Sequence, residues 1–233
     1  MNILITGASR GIGLAAIELL KSRGHSVVGH STRGGGDLID GDLMDPDAPR
    51  RVWNEALDRL GGRIDAMINN AGIFEGAAED ANDDDWHAAW ERTLRINLES
   101  AADFCRLALG HFRERGGGGR IVNVASRAAW RGDSPQHWHY AASKGAITAM
   151  TKTIARAYAA EDILAFCVSP GFTMTGMADD YMATRGTGVA ADIPLGRVAT
   201  TDEVAETIRW LATEAPPSAT GTNVDVNGAS YVR

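Results

Sequence analysis

Short runs of β-forming residues alternate with longer helical patterns along nearly the whole chain, and this alternation limits the fold more than any other feature. Candidate strands fall at Asn2 to Thr6, Ser26 to Gly29, Asp37 to Ile39, Ala66 to Asn69, Arg120 to Val124, Ile163 to Ser169 and Asn223 to Val226. Candidate helices fall between them at Gly11 to Arg23, Pro46 to Leu60, Asp85 to Glu114, Tyr140 to Ala160 and Asp202 to Ala212. Such alternation builds βαβ units, and those units require a parallel sheet with helices on both faces. One connection breaks the pattern. Only Ser31-Thr32-Arg33-Gly34-Gly35-Gly36 separates the second strand from the third, whereas a parallel crossover normally needs a dozen residues or more and a helix. A glycine-rich loop is expected there in place of the helix. The Gly116 to Gly119 run reads as a turn before a strand, and no internal repeat or linker divides the sequence. One domain over residues 1–233 is the expectation.

Composition removes several classes of function. The formal net charge of −7 is the wrong sign for a nucleic-acid groove or an anionic membrane surface. No run approaches the ~20 apolar residues of a membrane span. The opening Met1-Asn2-Ile3-Leu4-Ile5-Thr6 meets Gly7 too soon for a signal segment. Cys105 and Cys167 form neither a CxxC pair nor a zinc-ligand pattern, so no metal site is expected and a reducing, cytoplasmic setting is. Apolar residues make up 44% of the chain, enough for a substantial core.

Five short segments carry chemistry. Thr6-Gly7-Ala8-Ser9-Arg10-Gly11-Ile12-Gly13 lies directly after the first strand and opens the first helix. Glycines at 7, 11 and 13 allow a tight turn and close approach to a bound group, and the helix N-terminus offers N–H groups to phosphate. The spacing is GxxxGxG, and no Lys-Ser/Thr follows to make a Walker loop. Asn69-Asn70-Ala71-Gly72 ends the fourth strand, on the side where open α/β sheets bind ligands, although alone it is an ordinary turn. Ser126 also follows a strand, where its hydroxyl can meet a substrate oxygen. Asn97 falls on or beside the apolar helix stripe of Trp86, Trp90, Leu94, Leu98 and Ala101, as either a structural bridge or part of a polar site. Tyr140 and Lys144 stand four residues apart, on one helix face. A phenol, with a reference pKa of about 10, is a poor acid or base at neutral pH, and a nearby ammonium lowers that value. Such a tyrosine can exchange a proton with an alcohol or carbonyl oxygen.

Taken in order, these segments resemble the short-chain dehydrogenase/reductase family in its classical branch. The resemblance rests on TGASRGIG, NNAG, Asn97 in Ile96-Asn97-Leu98, Ser126, the YxxxK pair, Pro170-Gly171 with Thr175, and Val226-Asn227-Gly228. It is strongest to reductases of the 3-oxoacyl-[acyl-carrier-protein] reductase type. It implies an α/β, single-domain, Rossmann-like doubly wound fold with a seven-stranded parallel sheet in the order 3-2-1-4-5-6-7. It also implies reversible hydride transfer between a nicotinamide cofactor and a ketone/alcohol pair. Tyr140 would be the general acid or base. Lys144 would hold the nicotinamide ribose and lower the Tyr140 pKa, Ser126 would polarise the carbonyl, and Asn97 would support a water-linked relay to Lys144. The cofactor would lie along Gly7, Ser9, Arg10, Gly11, Ile12 and Gly13, past Asp42, Leu43, Asn70, Ala71 and Gly72, to Pro170, Gly171, Thr173 and Thr175.

NAD-preferring relatives usually carry an acid at the end of the second strand, and here that stretch reads Gly29-His30-Ser31-Thr32-Arg33. Ser31, Arg33 and Arg10 suit a 2′-phosphate, so NADP(H) is expected, with Asp37 and Asp40 close enough in sequence to keep NAD(H) open. Substrate contacts are expected from Arg127 to His139, with Trp130, His137 and Trp138, and from Met174 to Leu195, with Met177; packing beneath the loop is the alternative for the tryptophans and histidine. The family implies a homotetramer. A carbonyl reductase leads, an alcohol or diol dehydrogenase working oxidatively is the alternative, and a catalytically silent nucleotide-binding regulator is the reading from another class.

Overall fold

The computed structural model describes residues 1–174 and 188–233. Seven parallel strands form one sheet in the order β3-β2-β1-β4-β5-β6-β7. They are β1 (Asn2–Ile5), β2 (Ser26–Ser31), β3 (Ile39–Asp40), β4 (Ala66–Asn69), β5 (Gly119–Val124), β6 (Ile163–Pro170) and β7 (Asn223–Val226). The helices are α1 (Gly11–Ser22), α2 (Ala48–Arg59), α3 (Asp83–Leu94), α4 (Ser100–Glu114), α5 (Ala128–Arg131), α6 (Trp138–Tyr158), α7 (Gly188–Ala191) and α8 (Thr201–Thr213). The expected strand order and doubly wound architecture are what the chain adopts. The chain reverses its direction of travel across the sheet between β1 and β4, where open α/β sheets leave a crevice at the strands' carboxyl ends.

Alternation of side chains along each strand splits the core into two layers. Ile3 and Ile5 face α1 and α8 with Leu20, Ile208 and Phe166, while Leu4 faces the other side with Met67, Trp53, Phe104 and Phe112. Both faces of the central strands are therefore apolar, as parallel strands covered on two sides require.

The connection from β2 to β3 has no helix. Residues 32–38 make the crossing instead, through an antiparallel bridge between Gly35 and Leu38. That bridge delays β3 to Ile39–Asp40, later than the expected Asp37 to Ile39. Leu38 packs on the cluster that contains Ile17, covering sheet that a crossover helix would otherwise cover.

The expected single helix Asp85 to Glu114 is two helices joined by a π turn at Arg95–Glu99. α3 begins earlier because Asn82 caps it, its side chain accepting from the Asp85 N–H at 2.9 Å. Asp83, Asp84 and Asp85 then complement the positive end of the helix. Inserted π turns recur at functional sites, and this one carries Asn97. Among the described residues, no helix is long and apolar enough to cross a membrane, and no group of His, Cys, Asp or Glu is arranged to hold a metal. Cys105 and Cys167 are free and buried.

Candidate active site

The glycine turn and the Asn70 segment lock together at the carboxyl ends of β1 and β4. Thr6 Oγ1 accepts from the Asn70 and Ala71 N–H groups, each at 3.1 Å. Asn70 Nδ2 donates to the Thr6 and Gly7 carbonyls at 3.0 and 2.9 Å. Gly7 adopts φ +66°, and a Cβ on Gly13 would stand 2.2 Å from the Gly7 carbonyl oxygen. The turn is therefore closed against helix α1 by absence of side chains. No side chain caps α1, and its first turn carries no carboxylate. Its free N–H groups and dipole remain for an anion, which fits the pyrophosphate of a dinucleotide.

Asn69 turns the other way. Its Nδ2 donates to Asn123 Oδ1 at 2.8 Å, and Asn123 Nδ2 donates to Thr151 Oγ1 of α6 at 2.8 Å. The pair stitches β4 and β5 to the helix that carries Tyr140 and Lys144.

Those two residues occupy the first turns of α6, with Lys144 Nζ 5.8 Å from the centre of the Tyr140 ring. Ser126, just beyond β5, lines the cavity with Tyr140, and its hydroxyl accepts from the Ala128 N–H at 3.1 Å. Lys144 is 4% exposed and donates to the Val124 carbonyl at 2.9 Å. Burial pushes Lys144 down to about 8. Burial also pushes Tyr140 up to about 12, the nearby Ser126 hydroxyl pulls it down, and the Asp133 carboxylate raises it further. The expected lowering of Tyr140 by Lys144 is thus not a property of the protein by itself. Lys144 directs its amine at a backbone carbonyl, and desolvation favours the neutral form of both groups.

Asn97 is brought close by the π turn but does not line the cavity. Its Oδ1 accepts from Ile73 N at 2.8 Å, and its Nδ2 donates to the Ile73 carbonyl at 3.0 Å and to Ser143 Oγ at 3.3 Å. A Cβ on Gly72 would lie 3.3 Å from Asn97 Oδ1 and 3.4 Å from Lys144 Nζ, so the two side chains flank the same glycine. Of the two roles left open for this amide, the bridge is the one its side-chain bonds perform.

A cavity of about 330 Å³ runs from the end of β2 to Tyr140. Gly7, Ser9, Arg10, Gly11, Ile12, Ser31, Asp42, Leu43, Asn70, Ala71, Gly72, Ser126, Tyr140, Lys144, Pro170, Gly171 and Thr173 all line it. Gly13 stands behind the turn. Arg33 does not reach the lining, because it stands in the exposed loop just past the end of β2 with its side chain in solvent. Thr175 and Met177 lie outside the described residues.

The substrate side departs from the sequence expectation. Trp130 does not line the cavity; Lys152 Nζ and Arg233 Cζ stand 4.6 and 4.3 Å from its ring centre on cation–π contacts. Trp138 is 52% exposed and packs edge-on against Trp86 of α3. His137 stacks flat on Phe74 at 3.8 Å, and it is Phe74 that reaches the cavity and meets the Tyr140 ring at 4.7 Å. The tryptophans thus take the packing role that was the alternative. Phe74 and Phe172 line the cavity without having been singled out, whereas Arg127 and Asp133 line it from within the expected Arg127 to His139 stretch. Phe74 is two residues beyond Gly72, and that proximity was the only signal available.

Fold and site together define an oxidoreductase acting on CH–OH or carbonyl groups. A family model described as enoyl-(acyl carrier protein) reductase matches residues 7–229. The chain is 32% identical to 3-oxoacyl-[acyl-carrier-protein] reductase FabG of Vibrio cholerae, covering 98% of this chain and 96% of that protein. It is 32% identical to nodulation protein G of a Rhizobium species, over 97% of this chain and 94% of the relative. Among solved structures it resembles ligand-free Thermoplasma acidophilum aldohexose dehydrogenase, with TM-score 0.89, 25% identity and coverage of 100% and 94% of the two chains. The chain belongs to the short-chain dehydrogenase/reductase family, whose members use nicotinamide cofactors.

Proposed function

We propose that this protein is an NADP(H)-dependent carbonyl reductase of the 3-oxoacyl type. The observation that carries the reading is the meeting of Ser126, Tyr140 and Lys144 at one end of a cavity whose other end is an uncapped helix N-terminus. A nicotinamide held between those ends supplies or accepts the hydride. In reduction, Ser126 donates to the substrate oxygen and Tyr140 delivers its proton to the same oxygen; in oxidation Tyr140 takes that proton back. Lys144, below them, binds the ribose hydroxyls and favours the phenolate when its own charge is retained. Asn97 acts by holding Ile73, and any relay to Lys144 passes beside it.

The choice of NADP(H) rests on the end of β2. Ser31, Thr32 and Arg10 line the cavity there, and β2 ends without a carboxylate. Arg10 supplies the cation that a 2′-phosphate needs. The FabG and nodulation protein G similarities favour a 3-oxoacyl substrate; the aldohexose dehydrogenase similarity, with Asp133 as a hydroxyl acceptor in the cavity, favours a second reading as a polyol or sugar dehydrogenase. Phe74 and Phe172 are the proposed substrate walls. A homotetramer in a reducing cytoplasm completes the proposal, the former from family resemblance and the latter from two buried free thiols.

The test is a screen of 3-oxoacyl thioesters, simple ketones and aldoses with both cofactors. The proposal expects reduction of 3-oxoacyl thioesters with a higher kcat/KM for NADPH than for NADH. Turnover confined to aldose oxidation with NAD would overturn it.

A further inference from the structure

The π turn between α3 and α4 braces two walls of one cavity. Asn97 holds Ile73, as described. Arg95, two positions earlier, projects to another side of the helix. Its Nε donates to the Leu43 carbonyl at 3.2 Å in a buried contact. Its two Nη atoms are each 3.1 Å from a carboxylate, Glu99 Oε2 and Asp103 Oδ2. Arg95 is itself 9% exposed, and Leu43 is 4% exposed.

The position of Leu43 explains why such a brace is needed. It lies three residues past β3, a strand of two residues paired only with β2. The crossing that leads into β3 has no helix to support it. Gly41 is still held, by His30 Nε2 at 2.8 Å and by its own N–H on the Ser31 carbonyl at 3.2 Å. Beyond it, Asp42 and Leu43 form the cavity wall, and a buried carbonyl there requires a donor. Arg95 supplies that donor from α4's side of the molecule, with two carboxylates fixing its rotamer.

We propose that Arg95 is a positioning residue for the adenosine half of the bound dinucleotide, acting through the Leu43 carbonyl. The proposal rests on the reading that this cavity takes a nicotinamide dinucleotide. Arg95 does not touch the ligand; it sets where the Asp42–Leu43 wall stands.

The test is calorimetric titration of the full-length protein and of Arg95→Gln with three probes. They are NADPH, 5′-ADP for the adenosine half, and reduced nicotinamide mononucleotide for the other half. Losing a charge-assisted hydrogen bond is expected to weaken NADPH and 5′-ADP alike, by about tenfold, with reduced nicotinamide mononucleotide unchanged. A general loosening of the fold would weaken both halves. Equal weakening of both, or unchanged 5′-ADP affinity, overturns the proposal. If Arg95→Gln does not fold, Glu99→Gln combined with Asp103→Asn frees the guanidinium without removing it. That variant is expected to weaken 5′-ADP by about threefold and leave the mononucleotide unchanged, and the same two results would count against the proposal. Wild-type protein that binds none of the probes overturns the dinucleotide reading and the role of Arg95 with it, a result distinct from failure of Arg95→Gln alone.

Discussion

Replacing Lys144 by methionine isolates the energetic cost of a buried ammonium at the active site. Lys144 is 4% exposed, and burial brings the pKa of its amine down to about 8, against an ordinary 10.5. Below pH 8 both folded and unfolded chains carry the proton, and the folded state bears the full desolvation cost. Between about 8 and 10.5 the folded protein releases the proton while the unfolded chain keeps it, so the unfolded state binds more protons and stability rises with pH. At about 1.4 kcal/mol per unit, the rise amounts to about 3 kcal/mol. Methionine fills a similar volume without a charge, but it leaves the Val124 carbonyl without its donor, a cost of about 1–3 kcal/mol at every pH. The difference between wild type and Lys144→Met is therefore expected to change with pH. Tyr140, raised to about 12, works in the opposite sense above pH 10 in both proteins and cancels in the difference. Urea unfolding of the cofactor-free proteins between pH 7 and 11 measures it. A difference in unfolding free energy that stays flat between pH 8 and 10.5 would refute the argument that burial, not ion pairing, governs Lys144.

Gly13→Ala places a methyl 2.2 Å from the Gly7 carbonyl oxygen, so backbone must shift. Thermal unfolding should show a loss of about 1–3 kcal/mol, and NADPH affinity should fall by at least ~tenfold as the anion-binding turn opens; wild-type values in both would contradict the tight-turn account. Ser126→Ala removes the hydroxyl that pulls the Tyr140 pKa down. The rising, acid-side limb of the oxidation pH–rate profile, where Tyr140 must lose its proton to act as base, should therefore move to higher pH, with NADPH affinity unchanged, and an unmoved limb would count against the Ser126–Tyr140 link.

The architecture was legible because its determinants are local and periodic. Ala66–Asn69 and Asn223–Val226 are short β-rich runs between turn signals, and both strands occur at the expected residues. The missing crossover helix was legible too, because chain length alone forbids one between Ser31 and Asp37. The π turn was not, since Arg95–Glu99 keeps helical composition and differs only by one widened turn whose reason is tertiary, the grip on Ile73 and Leu43. The same limit applies to the site. Tyr140, Lys144, Ser126 and the glycine turn have fixed spacing relative to strands and helices. Trp130 and Trp138 were chosen for their residue type, and their direction is set by partners distant in sequence, Arg233 for one and Trp86 for the other. Likewise the Tyr140 pKa depends on how deeply α6 packs, which four-residue spacing does not encode.

The central claim is that Tyr140 transfers the proton to or from the substrate oxygen. Single-turnover kinetics of Tyr140→Phe, with NADPH and a ketone reduced by the wild type, tests it most directly. The account predicts a loss of roughly 10³-fold in the hydride-transfer rate with the NADPH dissociation constant unchanged. A Tyr140→Phe protein that retains the wild-type rate would contradict it.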